Sequence, residues 1–426
     1  MSDNDEENNK QGMSERSSWF IIFSLLISTF FSGFGGGVVF PIFPALGTIL
    51  GISPFLVGII LSANRFSRLV CSAPAGAIVD RFGARTPYVL GLGIQAVATF
   101  GYIIALYLPL PEAWFLGSRI VLGAASALTF ATSYTIAANV SVGDSRGMKM
   151  GLIRGGSILG FPTGLLVGGV TSDLVGMSAA FFVAAVFAVI ATVLAYLTIP
   201  ETHVKEGTSR AVKPWDIDTS IPTLTLGVVN FGIWFAYMGV LFASLVLFLE
   251  ATGIGALGFD AQGSSGIFMA LTVLSAAVSM LIGGKASDTW ESRVPVMLVF
   301  LSLLTVGFVL LPWADSAWQL APVCVVIGTG MGGTLAPYMA LLADLTPEER
   351  MGRASGTTNV FSDIGGGLGP ILALPLIETI GFAPVYIASA GFPMFAGVAL
   401  VVGLYVSTGT LFPKTGGTDC STDVAD

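Results

Sequence analysis

Twelve stretches of this chain run for about 20 residues each with hardly a charge among them, and nothing else in the sequence limits the fold so tightly. They cover 19–40, 54–75, 87–108, 114–136, 151–171 and 177–199, then 222–249, 264–284, 294–312, 318–341, 357–379 and 382–407. A bilayer core about 30 Å thick is crossed by roughly 20 helical residues rising ~1.5 Å each. Within lipid every backbone N–H and C=O must be paired internally, and runs this long and continuous do that as helices. The expected fold is therefore an all-α integral membrane bundle of twelve spans. Composition agrees: 54% of the 426 residues are hydrophobic and only 10% are charged, where a soluble domain carries about 25%. A soluble enzyme and a nucleic-acid binder are both excluded. Glycine (54) and proline (21) are abundant without a repeat period, as suits helices packed in a membrane.

The loops carry an orientation. Lys10 and Arg16 precede span 1, Arg81 and Arg85 follow span 2, and Arg146 and Lys149 follow span 4. Lys205, Arg210 and Lys213 follow span 6, Lys285 and Arg293 follow span 8, and Arg350 and Arg353 follow span 10. The alternate loops have acids only, such as Glu112, Asp173, Glu250, Asp260 and Asp315. Basic loops stay in the cytoplasm, which predicts a multi-pass cell-membrane protein with both termini cytoplasmic. The long polar stretch Glu201 to Ser220 divides the chain. The expected layout is a tail at 1–18, a six-span bundle at 19–199, a linker at 200–221, a second bundle at 222–407 and a tail at 408–426. The net charge of −8 comes largely from the tails. Cys71, Cys324 and Cys420 make neither a disulfide framework nor a metal spacing, and the lone His203 sits in the linker, so no metal or cofactor is expected.

Two features repeat. The loop after span 2 reads Gly76-Ala-Ile-Val-Asp80-Arg81-Phe82-Gly83-Ala84-Arg85, and the loop after span 8 repeats its Gly, Asp and final Arg as Gly284, Asp288 and Arg293, offset by 208 residues. Span 5 carries Gly151, Gly160 and Gly164, which recur in span 11 as Gly356, Gly365 and Gly369 at an offset of 205. Parallel repeats of this kind are a device of secondary transporters. The first loop resembles the signature loop between helices 2 and 3 of the major facilitator superfamily, with Ala84 where Arg is usual. Arg119 to Gly123 in span 4 is similar to a second motif of that family, with Ala125 in place of its last glycine. Span 5 resembles the glycine pattern of its antiporters, with Leu165 where proline is expected and Pro162 three residues away. The resemblance implies two pseudo-symmetric six-helix bundles, closest in motif content to the twelve-helix drug/proton antiporter-like branch.

On that resemblance, Gly76, Asp80, Arg81, Gly83, Arg85 and Asp288 are expected to act in a conformational switch, Asp80 latching against the start of span 11. Gly160, Gly164, Pro162, Gly365, Gly369 and Pro370 are expected to pack and bend at the interface between halves. Away from the span ends, where Arg154 and Glu378 sit, four charges lie within spans: Arg65 and Arg68 in span 2, Arg119 in span 4 and Asp363 in span 11. Each costs at least about 2.5–3.5 kcal/mol in mid-membrane and so is a functional candidate. Arg65 and Arg68 share nearly one helix face, and Asp363 matches Arg68 in depth. An Arg68–Asp363 bridge broken during switching is the preferred account, and Asp363 as proton carrier is the rival. Arg65 and Arg119 are candidates for substrate binding or coupling, and Arg119 is read either as a cavity cation or as a packing residue. Tyr134, Asn230, Trp234, Tyr237 and Tyr338 are candidate cavity wall, with Asn230, Trp234 and Tyr237 at helical spacing. A wall so apolar suits amphipathic organic solutes better than sugars.

The expected function is secondary active transport by alternating access, as proton-coupled efflux of small amphipathic organic compounds by a monomer. Uptake or exchange of organic anions is the alternative, favoured by the excess of membrane arginine over acid. A non-transporting sensor or scaffold on the same fold is the alternative of another class. No enzyme activity is expected, because no catalytic constellation or ATP-binding motif appears.

Overall fold

A computed structural model describes residues 3–140, 146–199, 217–290 and 292–411, with side chains from Trp19 onward except at 80, 134, 137–154 and 348. It consists of helices: α1 (Asp3–Val38), α2 (Phe43–Leu50), α3 (Pro54–Phe82), α4 (Arg85–Ala105), α5 (Pro111–Val140), α6 (Arg146–Leu174) and α7 (Met177–Thr198). After the linker come α8 (Ile221–Trp234), α9 (Phe242–Thr252), α10 (Ala261–Thr289), α11 (Arg293–Leu310), α12 (Ala317–Leu345), α13 (Glu348–Ile380) and α14 (Phe382–Thr408). Among the described residues eleven helical stretches are long and apolar enough to cross a membrane. The expected fifth span falls on α6, which is a helix of 29 residues but is not among the eleven. Its first turns carry Arg146, Lys149 and Arg154.

Several boundaries differ from the sequence reading, two of them with a local cause in the backbone. Span 1 does not stop at residue 40 but runs from Trp19 to Leu50, because the chain turns at Pro41 and resumes as α2. Span 7 runs from Ile221 to Thr252 and contains a π-helical turn over Phe235–Leu241. Large apolar side chains such as Phe395 (63% exposed) and Trp318 (91%) point outward, as a bilayer-facing surface requires.

Helices α1 to α7 pack chiefly on one another, as do α8 to α14, and the two sets meet mainly where α3 lies on α13 and α6 on α10. Small residues permit the closest approaches. A methyl group built on Gly160 would lie 3.0 Å from the Phe30 Cα, and one on Gly164 would lie 2.9 Å from the Phe34 Cα. In the second half Gly365 meets the Phe231 Cα at 3.1 Å and Gly369 meets the Phe235 carbonyl oxygen at 3.0 Å. The halves thus repeat a glycine ladder seated on phenylalanine backbones, except that Gly369 approaches Gly239 more closely than Phe235. This corrects the expectation that Gly160, Gly164, Gly365 and Gly369 pack between halves. They seat α6 on α1, and α13 on α8 and the π turn that follows it, within each half. Glycines four apart share one helix face, and that face is turned inward. The contact between halves uses other positions, among them Gly58 against Pro370 and Gly169 against Gly266.

Candidate functional site

Charge converges where α3 crosses α13. Arg68 donates to Asp363 through Nε to Oδ2 at 3.3 Å and through Nη2 to Oδ1. Arg65, one turn nearer the α3 N-terminus, donates through Nη1 to the same Oδ1 at 3.4 Å. Asp363 is 7% exposed, and with Asp218 it is one of two buried acids among the described residues. Three charges at one helix crossing hold the halves together: removing one partner from such a pair costs about 3–5 kcal/mol, because the remaining charge is left buried. The Arg65 guanidinium also lies 5.4 Å over the ring of Trp234 on α8, a cation–π contact.

This cluster stands at the inner end of an accessible stripe. On α8, Leu224, Val228, Phe231 and Trp234 are at least partly exposed at helical spacing, and every residue from 235 to 246 is buried. On α1 partial exposure continues to Gly36, after which 37–47 are all buried. Because Arg65 covers Trp234, the stripe faces the interior and not lipid. It begins at the end of the molecule that carries the α3–α4 loop, here the basic end.

The opposite, acidic end is shut. A methyl group on Gly58 would lie 2.6 Å from the Pro370 carbonyl oxygen, and one on Gly169 would lie 3.0 Å from the Gly266 Cα. Ser62 Oγ donates to the Gly367 carbonyl. Ser172 Oγ lies 2.5 Å from Gln262 Oε1, and Asp173 accepts from the Asp260 N–H at 3.0 Å. Phe40, Phe161 and Phe242 meet edge and face with centroids 5.8–6.1 Å apart. Beyond this seal lies a separate cavity of about 540 Å³ edged by Asp173, Glu250 and Asp260. At the basic end, by contrast, a methyl group added to Gly76 on α3, or to Gly352 or Gly356 on α13, would meet nothing within 4 Å.

The remaining candidates separate. Arg119 is 4% exposed and does not reach the stripe. It donates to the Ile60 and Leu61 carbonyls of α3 at 3.2 and 2.6 Å and stacks 5.6 Å over Phe43. Of the expected wall formed by Asn230, Trp234 and Tyr237, only Trp234 is accessible. Asn230 donates to the Thr358 carbonyl at 2.9 Å, and Tyr237 packs on Phe242 at 5.0 Å. Tyr237 falls inside the π turn, which shifts it off the face of Trp234, whereas Asn230 precedes the turn and is buried against α13. Tyr338 is buried with no hydrogen-bond partner for its hydroxyl among the described residues. The side chains of Asp80 and Tyr134 lie outside the described residues.

At the basic end Gly83 ends α3 with φ 75° and ψ −179°, a conformation open to glycine alone. Arg81 lies over Phe82, and Arg85 donates to the Tyr196 carbonyl at 2.9 Å. In the second copy Asp288 pairs with Arg293 at 3.1 Å, and Arg293 reaches Asp344 at 2.6 Å. Pro162 is buried in α6. Phe231, Ser62 and the Asp173–Asp260 contact were not singled out from sequence, since an apolar ring and backbone partners leave no distinctive pattern there.

A model of the Major Facilitator Superfamily matches residues 25–370. The chain belongs to that superfamily. It is accordingly a multi-pass membrane transporter, not an enzyme. The multi-drug resistance efflux pump PmrA of Streptococcus pneumoniae serotype 4 is 24% identical over 398 residues, covering 88% of this chain and 92% of the pump. Multidrug resistance protein 1 of Bacillus subtilis is 26% identical over 388 residues, covering 89% and 94%. Among solved structures, a crystal structure of a mutant of the nucleoside transporter NupG superposes with a TM-score of 0.76 at 16% identity, over 90% of this chain and 99% of that one. The facilitator fold, two pseudo-symmetric helix bundles, is thus shared across proteins named for different cargoes.

Proposed function

We propose that this facilitator is a secondary active transporter that exports small amphipathic organic compounds in exchange for protons, by alternating access. The observation that carries the reading is an interior face open at the basic end, sealed at the acidic end, and ending on an ion cluster that bridges the halves. The relatives named as multidrug efflux proteins support the cargo class. On the reading that the basic loops are cytoplasmic, the open face is the one that loads from the cell interior.

Switching requires α3 and α13 to part at the acidic end and meet at the basic end. The Arg68–Asp363 bridge then acts as a latch between halves, and the signature loop with Asp80 closes the opposite side. Separation would leave the Asp363 carboxylate buried without its cations, and a proton is the group that neutralises it at least cost. On this reading coupling and latch reside in one residue.

The test uses inverted membrane vesicles with an acid-inside pH gradient reported by a quenched dye. Addition of an amphipathic substrate should dissipate the gradient with the wild type and not with Asp363→Asn. Equal responses from both would remove Asp363 from coupling, and no response across cations, anions and neutral compounds would remove proton exchange.

A further inference from the structure

We propose that Arg65 and Trp234 form the subsite that recognises an anionic group on the cargo, so that the transported compounds are organic anions with a planar apolar body. This rests on the transport reading above and narrows it.

The argument begins with a charge count. At the apex of the accessible stripe two guanidiniums face one carboxylate. Both Asp363 oxygens are taken: Oδ2 by Arg68 and Oδ1 by Arg68 and Arg65 together. Arg68 holds the carboxylate through two nitrogens, whereas Arg65 reaches it through one, at the long distance of 3.4 Å. The other N–H groups of Arg65 have no hydrogen-bond partner among the described residues. One positive charge is therefore left over, and it belongs in effect to Arg65. A buried cation without a full partner is costly, and an incoming anion relieves that cost.

Arg119 offers no competing site. Its guanidinium is spent on two α3 carbonyls and the Phe43 ring, in a pocket 4% exposed.

The remaining cargo charges fit less well. A lipophilic cation entering from the basic end would meet surplus positive charge, and the one acid at the apex is already bridged. A neutral compound would leave the Arg65 donors unmet. A carboxylate or sulfonate matches the planar guanidinium fork. The guanidinium lies 5.4 Å over the Trp234 ring and also borders α13, where a methyl group on Gly366 would lie 2.8 Å from its Cζ, and Phe231 lies one turn back on the same stripe. Both rings are only partly buried, so they provide a flat apolar floor beside the cation. Trp234 and Arg65 come from opposite halves, which means that a ligand held by both is held across the boundary that must move.

The probes are naphthalene-1-acetate, its uncharged amide and 1-naphthylmethylammonium, titrated calorimetrically into full-length protein in nanodiscs, with empty nanodiscs as the blank. The acetate should bind at least tenfold more tightly than the amide and the ammonium should be weakest. Arg65→Gln should reduce the acetate to the level of the amide, while Arg65→Lys, which keeps charge and loses the fork, should retain part of the preference. Thermal unfolding in the same nanodiscs checks that the variants are folded; if Arg65→Gln is not, the wild-type ranking and Arg65→Lys decide. Equal or tighter binding of the ammonium, an undiminished acetate preference in folded Arg65→Gln, or no binding of any probe to folded wild type would overturn the proposal. The same compounds in the vesicle assay keep the two readings apart. Acetate-selective binding without proton flux sinks coupled export and spares the subsite. Flux driven best by the ammonium does the reverse.

Discussion

Asp363 and its two arginines form a cluster in which each deletion has a different expected result. Asp363→Asn strips the carboxylate charge from two cations and should lower the thermal midpoint in detergent more than Arg65→Gln does, since one arginine still compensates the acid in the latter. Arg68→Gln combined with Asp363→Asn should be less destabilising than the sum of the single changes, with a coupling of about 1–3 kcal/mol. Additivity would mean that the bridge contributes nothing. A second buried acid lies outside the spans. Burial raises the pKa of Asp218, but hydrogen bonds from the Ser220 backbone and side chain, the Arg350 charge and Thr223 outweigh it, leaving the carboxyl below its ordinary 3.8. A carboxyl depressed on folding stabilises the fold above its unfolded pKa, and that contribution is lost as pH falls through the folded value. Asp218→Asn should therefore cost about 1 kcal/mol near neutrality. The gap from wild type should shrink only below pH 3.8, a profile that chemical denaturation at stepped pH would resolve. The meeting of Arg68 with Asp363 was legible because depth along a span and a three-residue spacing are both countable. The partners of Arg119 were not, since its acceptors are main-chain carbonyls, which every residue possesses.

The corner between α3 and α4 turns on Gly83. Its φ of 75° with ψ near 180° lies outside the left-handed helical well that asparagine tolerates. Both Gly83→Ala and Gly83→Asn should thus destabilise by about 1–3 kcal/mol, and rescue by asparagine would contradict the assigned backbone. The glycine ladders make a second element-scale prediction. Gly164→Val drives a branched side chain into the Phe34 backbone and should cost at least about 1–3 kcal/mol or abolish folding. Gly117→Ala, with nothing within 4 Å, should be neutral. Fluorescence-detected size exclusion after heating would rank the four variants. The ladders were visible as spacing, but spacing cannot say which neighbour a face is turned toward. The π turn at Phe235–Leu241 left no sequence signal either: its residues are as apolar as those on both sides, and only the failure of Tyr237 to follow Trp234 reveals it.

For the molecule as a whole, the number and length of apolar runs, the charge of the loops and the internal repeat made the architecture readable, because bilayer thickness and backbone pairing leave few options. Which end is shut was not readable, since a transporter's sequence must support both states and side-chain exposure in one of them is a property of packing. That asymmetry is measurable. Spin labels at positions 55 and 380, near the acidic ends of α3 and α13, should give a shorter and narrower distance distribution than labels at 82 and 352, at the basic end. Substrate and a pH gradient should broaden the first pair and contract the second. No change in either would deny that the halves rock.

The surplus positive charge at the apex has an electrical consequence. A membrane potential acts on any charge fixed within the low-dielectric slab, at about 2.3 kcal/mol per elementary charge per 100 mV for a full crossing. When the opening moves from one face to the other, the voltage drop across the bilayer is redistributed around Arg65, Arg68 and Asp363 even if they barely move. In the proposed alternating-access cycle the membrane potential thereby biases which face stays open between cargoes, and the proposed anionic cargo, by cancelling the extra charge, would make the loaded transporter less sensitive to that voltage than the empty one.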